Sequence, residues 1–264
     1  MIHIENLWKN YGDNVVLEQV NASVEAGEFV TMVGTSGCGK STFLKMLLGI
    51  ESQSKGDLLL DGKPIPGEPD RQRGIVFQQY SVFPHLSVLK NVMAARAFAG
   101  GRFSSLMFGQ AKREAMEEAE SMLQSVGLDH ALHLYPHELS GGMRQRLAIA
   151  QALILKPRIL LLDEPFGALD PGIRGDMHAL LLDLWRQHRL TVFMVTHDLK
   201  EGFYLGTRLW VFDKVRVDPQ APQAYGATIT YDLPLGHVDK DIYEDIDNKL
   251  RPLPEMSVTV EDKI

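Results

Sequence analysis

Cysteine is nearly absent from this chain. Cys38 is the only one in 264 residues, which excludes an internal disulfide framework and a thiolate metal cluster and suits a reducing compartment. An excess of basic residues is missing as well. With 27 Lys and Arg against 34 Asp and Glu the formal charge is −7, so there is no electrostatic footprint for wrapping nucleic acid. No run reaches the roughly 20 apolar residues of a membrane span, and the opening MIHIENLWKNYG lacks the apolar core of a secretory signal. The expectation is a soluble, cytoplasmic chain whose role at a membrane, if any, comes through a partner. Internal repeats, low-complexity tracts and sustained heptads are also lacking.

What is present is enough apolar material, 45% of residues, to bury a full core. VVLEQVNASVEAGEFVTMVG predicts strands broken at Ala26-Gly27, and LLLDGKPI predicts a hairpin at Asp61-Gly62. AKREAMEEAESMLQSV spaces Ala115, Ala119, Met122 and Val126 at helical intervals. The runs RILLLDE and LTVFMVTH read as strands buried on both faces, and the helical stretch between them completes a βαβ unit. The fold class expected is α/β, its core interrupted by a mostly helical subdomain. The divisions expected are 1–90 with 158–212 for the core, 91–157 for the helical subdomain, and 213–264 for a short, irregular C-terminal extension. The glycine- and serine-bearing stretch around residues 98–109 has no assignment.

GTSGCGKST places Gly34, Gly39, Lys40 and Ser41 in the phosphate-loop pattern, after the apolar strand FVTMV and before the helical FLKMLLGI. Glycines let backbone N–H groups turn toward phosphate oxygens, the lysine brings charge to the β- and γ-phosphates, and the serine hydroxyl suits Mg²⁺. Thr35, Ser36, Gly37, Cys38 and Thr42 complete the stretch as nucleotide contacts; Cys38 reads as a small loop residue rather than a nucleophile. In ILLLDEP, Asp163 stands where a metal-binding carboxylate belongs, and Glu164 where a base could take a proton from an attacking water. His197 ends the strand in VTHD, among the ligand-binding ends of a parallel sheet. No Asn-Lys-x-Asp tetrad is present, which favours adenine over guanine.

A second anion site stands a hundred residues on. LSGGMRQRLAIAQAL opens a helix with a serine and two glycines, and a helix start offers free N–H groups and a positive dipole end. The ordered set of phosphate loop, FQQYSVFPHLSVLKNV, LSGGMRQR, ILLLDEPFGALD and VTHD resembles the ATP-binding subunit of ABC transporters, over about Ile2 to Phe212. That resemblance implies a P-loop NTPase (RecA-like) core with an antiparallel β subdomain and an inserted helical subdomain, ATP and Mg²⁺ as ligands, and a head-to-tail pair of copies, in which Ser140 and Gly142 contact the partner's γ-phosphate and Gly141 permits close approach. It further implies Glu164 as catalytic base, His197 as the γ-phosphate contact, and Asp170 as a bridge across the dimer. Gln78 becomes the sensor of γ-phosphate and Mg²⁺, with Gln79 beside it as a competing choice. Tyr11 matches the aromatic that stacks on adenine, although an early tyrosine is as often a core or edge residue.

The resemblance also implies integral membrane permease subunits, one of whose short helices would sit in a groove built in part by YSVFPHLSVLKN. Simple core packing is the other reading of those apolar residues. It places the chain on the cytoplasmic face of the cell membrane, with an extracytoplasmic binding protein acting indirectly. Met143 stands where glutamine is commonest, and LSGGMRQR with PFGALD is similar to the branch importing nitrate, sulfonates and taurine. HDLKEGFYLGTR and the tail APQAYGATITYDLPLG look similar to a subgroup associated with urea- or guanidine-like compounds. A soluble relative acting on nucleic acid or ribosomes is the alternative, disfavoured by the acidic charge and the single ATP module.

Overall fold

The computed structural model describes residues 1–77, 81–99, 109–235 and 246. In chain order the strands and helices are β1 (Ile2–Tyr11), β2 (Asn14–Val24), β3 (Phe29–Gly34), α1 (Lys40–Leu48), β4 (Lys55–Leu60), β5 (Lys63–Pro64), β6 (Arg73–Val76), α2 (Val88–Ala99), α3 (Gly109–Ser125), α4 (Gly141–Leu153), β7 (Ile159–Asp163), α5 (Pro171–His188), β8 (Thr191–Val195), α6 (Leu199–Leu205), β9 (Arg208–Asp213) and β10 (Thr228–Pro234). They form two sheets, an antiparallel one of order β2-β1-β4-β5 and a larger one of order β10-β9-β3-β8-β7-β6. In the larger sheet only β10 runs antiparallel to its neighbour.

Local chemistry accounts for these elements. Every residue of β3 and of β8 is buried, as expected of unbroken apolar strands covered on both faces of a parallel sheet. Asp61 and Gly62 both take positive φ, 51° and 75°, the geometry a two-residue hairpin loop requires. Ala115, Ala119 and Met122 are the buried stripe of α3, and Val126 just beyond it is buried too. Between the two sheets, Phe43 of α1 meets Phe193, Trp210 and Phe212 at ring separations of 5.8 to 6.4 Å. This packing holds α1 against β8 and β9.

A second core joins α2, α3 and α4 to α5. Asn91, fully buried on α2, ties down the approach to that helix: its side-chain oxygen accepts from the Phe83 N–H (2.7 Å), and its amide donates to the carbonyls of Phe83, Leu86 and Ser87. Gln151 of α4 donates to Asn91 in turn, at 3.2 Å.

The stretch after Asp213 differs from the irregular extension expected. Its ATITYDLP run supplies β10, which covers the edge of β9. Just before it, the Val15 N–H donates to the Gln223 carbonyl (2.9 Å) and the Ala227 N–H to the Val16 carbonyl (3.0 Å). Pro and acidic content hid a β-branched alternation that an unpaired strand edge can capture. Among the described residues, no helix is long and apolar enough to cross a membrane.

Candidate nucleotide site

The phosphate loop joins β3 to α1, and its glycines are there for space and for backbone sign. A Cβ on Gly34 would lie 2.3 Å from the Phe212 carbonyl oxygen, and one on Gly39 2.8 Å from Leu17 Cδ2 and 2.9 Å from Val16 Cγ1. Gly37 and Gly39 hold φ of 79° and 94°, which L side chains rarely adopt. Lys40 is buried, and its Nζ donates to the carbonyls of Gly34 (2.7 Å) and Thr35 (3.0 Å), with Cys38 Sγ at 3.5 Å. Cys38 is buried within the loop, and the Cys38 N–H donates to the Thr35 carbonyl.

Beside the loop opens a cleft of 390 Å³. Its lining includes Tyr11, the loop and helix-start residues Ser36, Gly37, Gly39, Lys40, Ser41 and Thr42, and Glu164 and His197. The N–H groups at the start of α1 have no partner inside their own helix and carry its positive dipole end, so this part of the lining suits an anion.

Ser41 Oγ donates to Asp163 Oδ1 at 2.9 Å. Burial pushes the Asp163 carboxyl up from its ordinary range; the Ser41 hydrogen bond opposes the rise and the charge of Glu164 adds to it. Among the described residues no three His, Cys, Asp or Glu side chains gather as a metal cage. One hydroxyl and one carboxylate beside a phosphate cradle is instead the hard oxygen set that Mg²⁺ takes, the rest of its shell being water and phosphate.

Glu164 follows directly after β7, and His197 lies two residues past the end of β8 rather than at the strand end expected. Glu164 Oε1 is 2.5 Å from His197 Nε2. Glu164 reaches it with φ of 48°, and the Glu164 N–H donates to the Val195 carbonyl at 3.1 Å.

Tyr11 is 45% exposed at the rim of the cleft, so the core alternative for it does not apply. Lys9 Nζ sits 4.7 Å from the centre of its ring and 2.8 Å from Glu51 Oε2. Burial and the nearby Glu51 raise the Tyr11 hydroxyl above its ordinary range, while the Lys9 hydrogen bond holds Glu51 below the usual carboxylate range. Neither Lys9 nor Glu51 stood out in the sequence, where each is one charge among many.

Ser140, Gly141 and Gly142 are not part of this cleft. Ser140 caps α4 by accepting from the Met143 N–H at 3.3 Å, and a Cβ on Gly142 would lie 2.6 Å from Ile173 Cγ2 of α5. Ser140 and Asp170, the latter at the head of α5, are both exposed. Gln78 and Gln79 lie outside the described residues. Elsewhere among the described residues is a groove of 650 Å³ whose apolar walls include Ile75, Phe77, Phe83, Ala95, Ala148 and Leu155.

A family model described as "ABC transporter" matches residues 17–167. The chain is 41% identical over 200 residues to the nitrate import ATP-binding protein NrtD of Synechocystis sp., covering 76% of this chain and 71% of the relative. It is 40% identical over 202 residues to the aliphatic sulfonates import ATP-binding protein SsuB of Bacillus anthracis, covering 76% and 75%. Among solved structures it is similar to the dimeric form of MJ0796, a bacterial ABC transporter cassette, at 29% identity and a TM-score of 0.72, over 90% of this chain and 100% of that one. The P-loop NTPase fold expected from the sequence is shared with that cassette. With a phosphate loop, an acidic pair after a buried strand and a family match over more than half of its length, the chain belongs to the ABC transporter family as an ATP-binding ATPase.

Proposed function

We propose that two copies of this chain pair head to tail, each LSGG helix start capping the nucleotide held in the other's phosphate loop. One observation carries this reading: within a single chain Ser140 and Gly142 lie away from the cleft that holds Lys40 and Ser41. Asp170 and Ser140 are exposed toward whatever lies outside the chain, and the similar MJ0796 cassette is dimeric.

In the closed pair, Lys40 and the loop N–H groups bind the phosphates and Tyr11 stacks on adenine. Ser41 and Asp163 would hold Mg²⁺, with Gln78 as a further ligand, and the ion would supply neutralising charge to the phosphates. Glu164 takes the proton of the attacking water. His197, 2.5 Å away, orients that carboxylate and contacts the γ-phosphate. Coupling follows if the pair binds ATP better closed than open, since only differential affinity shifts the equilibrium toward closure.

Closure moves a pair of integral membrane permease subunits, whose helix would occupy the apolar groove beside Phe77 and Phe83. The similarity to NrtD and SsuB supports import of a small nitrogen- or sulfur-containing solute, and an extracytoplasmic binding protein would select that solute. The ATPase would then sit on the cytoplasmic face of the membrane.

The test is a pull-down of tagged Glu164→Gln protein from detergent-solubilised host membranes in Mg·ATP, read by mass spectrometry. Recovery of a polytopic permease is expected. Recovery of only nucleic-acid-binding or ribosomal proteins would overturn the transport assignment.

A further inference from the structure

The backbone on each side of His197 is held by side chains from one face of α5. His178 Nε2 lies 2.7 Å from Glu201 Oε1, and against a carboxylate that nitrogen donates. The second Glu201 oxygen accepts from the Thr196 hydroxyl at 2.5 Å, and the Asp198 N–H donates to Thr196 Oγ1 at 3.0 Å. All three hydrogen bonds are thereby satisfied in one connected run, and each polarises the next. Glu201 is 7% exposed, a position where a carboxylate persists only when its oxygens have donors. Thr196 and Asp198, the two residues that flank His197, are both in this run.

Four residues earlier on α5, and so on the same face, stands Arg174. Its Nη1 is 3.5 Å from Asp198 Oδ2, its Nη2 donates to the Leu169 carbonyl at 3.2 Å, and the Arg174 N–H donates to the Asp170 carbonyl at 3.0 Å. Asp198 in turn caps α6, accepting from the N–H groups of Lys200 and Glu201. One helix face therefore grips the Leu169-Asp170 segment at one end and the His197 turn along its side.

We propose that Arg174 and His178 are positioning residues for ATP hydrolysis, setting His197 against Glu164 in register with the Leu169-Asp170 segment that the second copy would touch. The proposal rests on the reading of Glu164 and His197 given above. It adds a physical link by which pairing of two copies reaches the reacting end of the cleft. A buried pair that merely fastened α5 to α6 would affect stability and nothing else.

The experiment compares His178→Ala with His178→Gln, whose amide can donate to Glu201 from a place close to that of Nε2. The alanine variant is expected to lower kcat by about 10- to 100-fold, as misplaced supporting groups do, with the KM for ATP unchanged and with most of the rate returned in His178→Gln. In a His197→Ala background, measured by single turnover, His178→Ala should add no further loss, because it acts through a group already removed. A lowered Tm with wild-type kcat per folded molecule, or an equal loss in both backgrounds, would overturn the proposal. Wild-type turnover of His197→Ala alone would instead overturn the role given to His197. Should His178→Ala not fold, the partly exposed Arg174→Ala carries the same test: reduced kcat at unchanged ATP affinity supports the link, and normal kcat refutes it.

Discussion

Glu164 and His197 meet at 2.5 Å although they follow different strands, β7 and β8. Glu164 makes the contact from a left-handed backbone, φ 48°, with its own N–H donating to the Val195 carbonyl. Backbone of this kind is costly for a residue with a side chain and persists where the surroundings over-determine it.

Glu164→Gln should therefore lower ATP turnover by roughly 10² to 10⁴, the usual worth of a general base, with ATP binding retained. The strain gives a separate readout. Glu164→Gly should be more stable than Glu164→Ala by about 1 kcal/mol, since both lose the side chain and only glycine is at ease at positive φ. Equal melting temperatures for the two variants would contradict a strained turn.

Asp163 predicts a pH dependence. Its folded-state pKa is raised above the unfolded value, by burial first. A group shifted that way favours the folded state below its unfolded pKa of about 4 and loses that advantage as pH rises through the folded value. Asp163→Asn should thus raise Tm relative to the wild type at neutral pH, with the gain shrinking toward pH values of about 4, while Mg²⁺-dependent turnover is lost. A gain of equal size at both ends, measured by thermal melts across pH, would show that the carboxylate's charge is not its cause.

Tyr11 should act on affinity and not on chemistry. Loss of a base–aromatic stack costs about 1–3 kcal/mol, so Tyr11→Ala should weaken ATP binding about 5- to 150-fold while Tyr11→Phe stays near wild type. Because Tyr11 is 45% exposed, little stability should be lost. Equilibrium binding of a fluorescent ATP analogue checks both variants; equal affinities would remove Tyr11 from the adenine site.

Much of this was legible in the sequence because it is local. The phosphate loop, the acidic pair after a buried strand and the serine-glycine helix start each need only adjacent residues to state their chemistry. The hairpin at Asp61-Gly62 and the buried stripe of α3 are local too. What stayed hidden depends on residues far apart in the chain. His178 and Glu201 are 23 positions apart, and as single residues they read as a helix-surface histidine and one more acid. Lys9 meets Glu51 across 42 positions, so nothing near Tyr11 announced what would hold its ring. β10 was missed for a different reason: its alternation was outweighed by flanking proline and acid, and its partner edge, β9, exists only after the parallel sheet has formed.

Trans capping is the claim on which the rest depends, and mixing two inactive proteins tests it most directly. Lys40→Ala disables the phosphate loop and Ser140→Arg blocks the signature helix, so neither should hydrolyse ATP alone. In a head-to-tail pair made of one copy of each, one composite site keeps an intact Lys40 facing an intact Ser140. Recovery of ATP hydrolysis on mixing, rising with the amount of the mixed pair, is the predicted result. Ser140→Arg protein that turns over ATP normally by itself, or a mixture as inactive as its components, would contradict a site shared between two copies.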